Sequence, residues 1–136
     1  MVPNGIFITL EGPDGSGKST QVENIKEFFT KAGRDVVVSR EPGGTPISEK
    51  LRGIVLDADH SEMDDVTEMF IYAAARAQHV AEKIKPALES GAVVVCDRFV
   101  DSSIAYQGYG RGLGDQVEEV NRYATSGLEP NVTFFM

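Results

Sequence analysis

The sequence predicts an α/β fold in which helices cover both faces of a parallel β-sheet. Short apolar runs alternate with segments of helical periodicity, which is the rhythm of parallel strands joined by right-handed helical crossovers. The runs are continuously apolar, as expected for strands buried on both faces of a sheet. A glycine-rich loop joins the first run to the first helical segment, and 136 residues suffice for one domain with a workable core.

The strands and helices are expected in alternation along the chain. Strands are predicted at residues 6–10, 36–39, 92–96 and 132–136, and helices at 19–32, 48–56 and 115–126. The first helix places Val22 and Ile25 on one face, and Gly33 can end it. A further long helix is expected after Ser61, which can cap it, with an apolar stripe that continues to a kink at Pro86.

Composition and charge restrict the classes of partner. The net charge of −8 argues against a nucleic-acid groove or an anionic membrane surface, and no apolar stretch approaches the ~20 residues that span a membrane. The only cysteine, Cys96, is expected to be a small core residue. Without a partner thiol no intramolecular disulfide can form, which fits a reducing cytoplasm. His60 and His79 lack metal-ligand spacing, so neither receives a role.

Residues 12–19 read GPDGSGKS, a complete phosphate-binding loop between a predicted strand and a predicted helix. Glycines in this loop let successive backbone N–H groups converge on phosphate oxygens at the helix N-terminus. Lys18 can reach the β- and γ-phosphates, and the hydroxyl of Ser19 is suited to Mg²⁺. This loop predicts that the chain binds a nucleoside triphosphate.

Three further segments carry charged or aromatic residues at positions suited to a ligand. Asp97 and Arg98 follow the third strand, where open α/β sheets place their ligands, so a Mg²⁺-holding carboxylate beside a phosphate-binding arginine is favoured over a surface ion pair. Residues 40–45, REPGGT, follow the second strand, and here a substrate role and a purely structural turn are equally open. Tyr72 and Arg76 share a helix face, which suits either a nucleobase reader or an ordinary surface contact.

Together these segments resemble the thymidylate kinase family. The resemblance rests on residues 11–20 (EGPDGSGKST), 40–45 (REPGGT), 72–79 (YAAARAQH) and 97–108 (DRFVDSSIAYQG), in family order and at family-like spacing. It implies a P-loop, nucleoside-monophosphate-kinase-like three-layer α/β/α fold with a parallel sheet, and a homodimer. It also implies Mg²⁺-assisted transfer of the ATP γ-phosphoryl group to dTMP, giving dTDP and ADP in dTTP biosynthesis.

The resemblance also implies a role for each matching residue. ATP and Mg²⁺ would be held by Gly12, Pro13, Asp14, Gly15, Ser16, Gly17, Lys18, Ser19 and Thr20, with Asp97 as a second metal-holding residue. The expected catalytic residues are Lys18, Asp97 and Arg98. The dTMP phosphate would meet Arg52 and Arg98, with Arg40 and Glu41 close to it, and Asp14 would approach the sugar 3′-hydroxyl. Tyr72 would stack on the thymine ring, and Tyr106 would lie against the sugar. The polar edge of the thymine would meet Arg76, Ser103 and Gln107.

The phosphate loop departs from one type of this family. The variable positions of this loop carry no basic residue. Family members without an arginine in the loop resemble the type that supplies a catalytic arginine from a mobile lid. The lid is expected after residues 132–136, so residues 1–136 are expected to be a single P-loop kinase domain that is incomplete at its C-terminus. Arg111 precedes the expected lid and is not a convincing substitute.

Two alternatives remain open beside a dTMP kinase. A deoxynucleoside kinase would need a carboxylate base near the acceptor hydroxyl, a task open to Asp97, but it would have no use for a second phosphate clamp at Arg52 and Arg98. A non-catalytic nucleotide-binding fragment without the lid is the other. For dTMP itself no general base is required, because a phosphate monoester with a second pKa near ~6 is mostly ionised at neutral pH.

Overall fold

The computed structural model describes residues 4–136, apart from the side chain of Tyr106. Four parallel strands form one sheet in the order β2-β3-β1-β4. The strands are β1 (Ile6–Glu11), β2 (Val36–Arg40), β3 (Val93–Asp97) and β4 (Val132–Phe135). The helices are α1 (Lys18–Lys31), α2 (Pro46–Val55), α3 (Asp65–His79), α4 (Lys85–Glu89), α5 (Val100–Ser103) and α6 (Asp115–Thr125). The predicted fold class is confirmed.

Two apolar cores lie on opposite faces of the sheet. Phe7, Val94 and Cys96 pack on one face against Val80 and Ile84, which follow α3. Side chains one position along the same strands pack on the other face against α1: they are Ile8, Leu10, Val93 and Val95. Because successive side chains of a strand point to opposite faces, the continuous apolar runs serve both cores.

The long helix predicted after Ser61 differs from the observed one at both ends. Asp64, not Ser61, caps α3, and its side chain accepts the Val66 N–H at 3.0 Å. The negative charge of a carboxylate at that position also interacts favourably with the positive end of the helix dipole. At the other end, a π-helical turn at Val80–Ile84 separates α3 from α4. Pro86 cannot donate a backbone hydrogen bond, so the helix changes its bonding pattern before this residue.

Residues 100–109 form helical structure that the sequence pattern did not predict. The short α5 continues into a π-helical turn, Ile104–Tyr109, which packs against α6. A helix this short carries too few apolar positions for its periodicity to be recognised. None of the helices in residues 4–136 is long and apolar enough to cross a membrane.

The carboxyl ends of three strands lie side by side. Leu10 of β1 and Arg40 of β2 both pair with Asp97 of β3. The loops that follow these strands therefore begin at the same level, at the edge where α/β sheets bind ligands.

Candidate active site

The phosphate loop, residues 12–19, turns directly from β1 into α1. Gly17 precedes the helix with φ 94°, in the left-handed region that favours glycine. No acidic residue lies in the first turn of α1, and no side chain caps its amides. The buried Lys18 Nζ donates to Gly12 O at 2.5 Å and to Pro13 O at 3.4 Å. A helix N-terminus with uncapped amides and an adjacent lysine is suited to phosphate oxygens.

Asp97 lies at the end of β3, beside this lysine. Its Oδ1 is 3.7 Å from Lys18 Nζ and is buried without a hydrogen-bond partner among the described residues. Asp97 and Ser19 line one cavity of about 640 Å³, called here the Asp97 cavity. A carboxylate and a hydroxyl are hard oxygen ligands, and Mg²⁺ commonly completes its shell with waters and phosphates. The residues present therefore fit a magnesium ion.

Arg98 adopts φ 69°, a conformation that non-glycine residues rarely take. Its N–H donates to Leu10 O at 2.8 Å, which turns the chain back over the end of β1. The guanidinium donates to Asp14 Oδ1 at 2.8 Å, while Nε is buried without a partner among the described residues. Asp14 is 97% exposed, so this ion pair contributes little stability and Arg98 can exchange it for an anionic ligand.

A second, narrower cavity lies between α3 and the segment that follows Arg98. It is called here the Gln107 pocket and is lined by Tyr72, Arg76, Arg98, Ser103 and Gln107. Gln107 is 1% exposed, and neither its amide nitrogen nor its oxygen has a partner in the described part of the chain. Leaving such groups unpaired costs roughly 1–3 kcal/mol, so the pocket favours a ligand that offers both a donor and an acceptor. Burial raises the pKa of Tyr72, with a smaller contribution from Glu68, so this phenol stays neutral.

Arg76 is held by hydrogen bonds from every nitrogen of its guanidinium. Nε donates to Glu41 Oε1 at 2.6 Å, and Nη2 donates to Phe99 O at 3.0 Å. Nη1 donates to Ser103 Oγ at 2.9 Å and to Asn121 Oδ1. Arg76 is 3% exposed, so it reaches the pocket as a fixed group and not as a mobile surface side chain.

Other predicted site residues lie outside the Gln107 pocket. Arg40 pairs with Glu49 at 3.1 Å and lines the Asp97 cavity instead. Arg52 Nη1 donates to Pro42 O at 2.8 Å and so supports the turn after β2. The side chain of Tyr106 lies outside the described residues. The binding roles expected of these three residues stay predictions.

Glu49 and Arg111 show how charges near the site are already paired. Glu49 also accepts the Gly44 N–H at 3.0 Å, and this bond is the main cause that lowers its pKa. The guanidinium of Arg111 lies 3.4 Å from Glu68 on α3, so carboxylates hold this arginine against that helix.

Two buried residues that support the site were missed in the sequence. Glu11 accepts the Phe99 N–H at 3.0 Å and the Ser102 hydroxyl, and burial raises its pKa. Its position at the carboxyl end of a buried strand is the same signal that identified Asp97. Asn121 on α6 had no comparable signal, because only the packing of α6 against α3 brings it to Arg76.

The parallel sheet, the loop at the N-terminus of α1 and the acid at the end of β3 define a P-loop protein of the nucleoside monophosphate kinase type. The family model described as thymidylate kinase matches residues 10–136. The chain belongs to the thymidylate kinase family.

Individual relatives agree with this assignment. The chain is 55% identical over 133 residues to the thymidylate kinase of Bacillus licheniformis, covering 97% of this chain and 63% of that protein. It is 57% identical to the thymidylate kinase of Halothermothrix orenii, covering 97% of this chain and 64% of that one. A crystal structure of thymidylate kinase from Ehrlichia chaffeensis superimposes with a TM-score of 0.89 at 39% identity, over 98% of this chain and 76% of that chain. The chain thus spans just under two thirds of the length of these curated relatives.

Proposed function

We propose that this protein transfers the γ-phosphoryl group of ATP to dTMP, giving dTDP and ADP, and that residues 1–136 belong to one kinase domain. The observation that carries the proposal is the unpaired, buried amide of Gln107 beside Arg76 and Tyr72. A thymine ring offers an N–H donor between two carbonyl acceptors, which is the complement of an amide and a guanidinium. The half-buried ring of Tyr72 supplies a flat surface for stacking.

The arrangement of cations supports an acceptor that is itself a phosphate. Arg98 lines the Gln107 pocket and also contacts Asp14 of the phosphate loop, so it lies between the proposed donor and acceptor sites. Two anions must approach each other in this reaction, and positioning together with positive charge supplies most of the catalysis. Lys18 and Arg98 are the described cations suited to that task.

Mg²⁺ is proposed as the metal cofactor, held by Ser19 and Asp97 together with the ATP phosphates. When bound, it would neutralise charge on the β- and γ-phosphates. The unpaired Oδ1 of Asp97 is the observation that supports this assignment. Lys18 lies near enough to the same carboxylate to orient it by charge attraction.

A homodimer is proposed as the assembly, with α2 and α3 contributing to its interface. Ile47 and Ile54 of α2 are 53% and 46% exposed, and Val66 and Phe70 of α3 are 41% and 56% exposed. Within each pair the spacing places both side chains on one helix face. Exposed apolar patches of this kind mark association surfaces. The charge of −8 supports the absence of a nucleic acid or anionic membrane partner, and the single cysteine supports a reducing cytoplasm as the compartment.

A coupled ADP-release assay across dTMP, dUMP, thymidine, dCMP and dGMP tests the proposal. We expect turnover with dTMP to exceed turnover with the other acceptors and thymidine to be inactive. Faster turnover with thymidine would contradict the proposal and favour a deoxynucleoside kinase. Binding of ATP and dTMP without turnover would favour a non-catalytic nucleotide-binding protein.

A further inference from the structure

His79 contacts Glu41, which lines the Gln107 pocket, and it has none of the roles assigned above. It is 0% exposed, at the last residue of α3. Its Nδ1 lies 2.7 Å from Glu41 Oε2, and its Nε2 lies 2.6 Å from Ser39 Oγ. The ring therefore bridges two residues of the β2 end, one at each nitrogen.

The partners define which nitrogen carries the proton. An ionised carboxylate only accepts, so Nδ1 donates to Glu41. Nε2 is the atom that forms a hydrogen bond with the hydroxyl of Ser39. The other oxygen of Glu41 accepts from Arg76. One carboxylate is thus held between the imidazole and the guanidinium.

The backbone of the turn after β2 packs closely against the same imidazole ring. A Cβ built on Gly44 would lie 2.5 Å from His79 Cδ2 and Nε2, and Gly44 has φ 100°. Contact this close admits only glycine there. The position of the imidazole therefore fixes both the Glu41 carboxylate and the backbone that follows it.

Glu41, His79 and Cys96 also group closely enough to suggest a metal site, since their ligand atoms all lie within 4.8 Å of one another. The bonds already made argue otherwise. Both nitrogens of the ring and both oxygens of the carboxylate are engaged. Burial, followed by the charge of Glu41, raises the pKa of the Cys96 thiol well above its usual value, which disfavours the thiolate that a metal needs.

We propose that His79 is a positioning residue for the acceptor base: through Nδ1 it orients Glu41, and through Glu41 it sets the guanidinium of Arg76 in the Gln107 pocket. This inference rests on the proposed function, because its readout is the affinity for dTMP. Its action passes through one nitrogen only, and the contact with Ser39 is dispensable for it.

Two substitutions distinguish the contribution of the Nδ1 hydrogen bond from that of the Nε2 hydrogen bond. The amide of asparagine falls near the place of Nδ1 and can still donate to Glu41, whereas the amide of glutamine falls near Nε2 and meets Ser39. We expect His79→Gln to raise KM for dTMP about tenfold and His79→Asn to leave it within about threefold. KM for ATP should change less than about twofold in both. A role in packing alone would give the opposite order, because glutamine fills more of the space left by the ring.

The experiment uses the protein as its gene encodes it, with ADP release measured against dTMP and ATP. Parent protein without dTMP-dependent turnover would refute the proposed function itself. With an active parent, equal KM values for dTMP in the two variants, or a higher value in His79→Asn, would overturn the role of His79 alone. Should His79→Gln not fold, Ser39→Ala and His79→Asn remain decisive: a rise of about tenfold in KM for dTMP in either would overturn the inference.

Discussion

The phosphate loop is built from consecutive residues, whereas the Gln107 pocket draws its side chains from segments far apart in the chain. In the loop, backbone amides and Lys18 form the binding surface, and few side chains hold it in place. In the pocket, Arg76 of α3 is bonded to groups from the β2 end, α5 and α6. A local turn suffices to bind phosphate, but reading the shape of a base needs rigid side chains whose positions are fixed by tertiary packing.

This contrast predicts that changes in the loop reduce chemistry while changes in the pocket reduce stability and acceptor affinity. The largest effect is expected for Lys18→Ala. Turnover should fall by about 10³-fold or more, because the lysine meets charge that develops on the transferred group. Single-turnover kinetics measure the loss, and thermal unfolding should change little. Lys31→Ala is the matched control, since Lys31 is 74% exposed and pairs only with Glu27 among the described residues.

Arg76→Ala should show the opposite pattern, with a large loss of stability. Glu41 would be left buried without its guanidinium partner, and removal of one member of a buried ion pair costs about 3–5 kcal/mol. Denaturant unfolding measures the free energy of unfolding. A loss below about 1 kcal/mol would mean that the pocket is no more dependent on its network than the loop is.

Gln107→Ala separates recognition from stability inside the pocket. Its amide has no partner among the described residues, so removal of an unpaired polar group offsets the packing lost on truncation, and the free energy of unfolding should change by less than about 1 kcal/mol, in contrast to Arg76→Ala. KM for dTMP should rise roughly ten- to a hundredfold with KM for ATP unaffected. If ATP affinity falls instead while dTMP affinity holds, the pocket does not bind the acceptor.

The smallest effect is expected at Glu11, which joins the two regions. Its pKa is raised in the folded protein, chiefly by burial, so its contribution to stability is lost as pH rises from its ordinary value of 4.5 through the folded value. Glu11→Gln removes this dependence. Relative to the parent, the variant should gain stability between pH 4.5 and pH 7, by less than about 2 kcal/mol. Urea unfolding at several pH values gives the difference, and a gain that shrinks as pH rises would contradict the assignment.

Most of the fold could be predicted from the sequence, because the signals for its strands and its phosphate loop lie in short runs of neighbouring residues. Strand runs, the loop at residues 12–19 and the acid at Asp97 each follow from a few neighbouring residues, and the structure differs only by small shifts in their bounds. The cap at Asp64 was misassigned to Ser61, since both residue types cap helices equally well.

The site was predicted less completely, for a physical reason. Which cavity an arginine reaches depends on its tertiary partners: Arg40 pairs with Glu49 at the Asp97 cavity, and Arg52 donates to the carbonyl of Pro42. His79 and Asn121 become significant only when α3, α6 and the end of β2 pack together. No spacing along the chain encodes such contacts.

The burial of Cys96 at the centre of the sheet makes its thiol a probe of how often the sheet opens. The thiol is 0% exposed and is the only one in the chain, and burial raises its pKa, so a thiol-specific reagent reacts only when the strands separate. When reclosing is fast, the labelling rate equals the intrinsic rate multiplied by the equilibrium constant for opening. Comparing the labelling rates with and without nucleotide would then give the fraction of time for which the middle of β3 is exposed, and the factor by which a bound phosphate lowers that fraction.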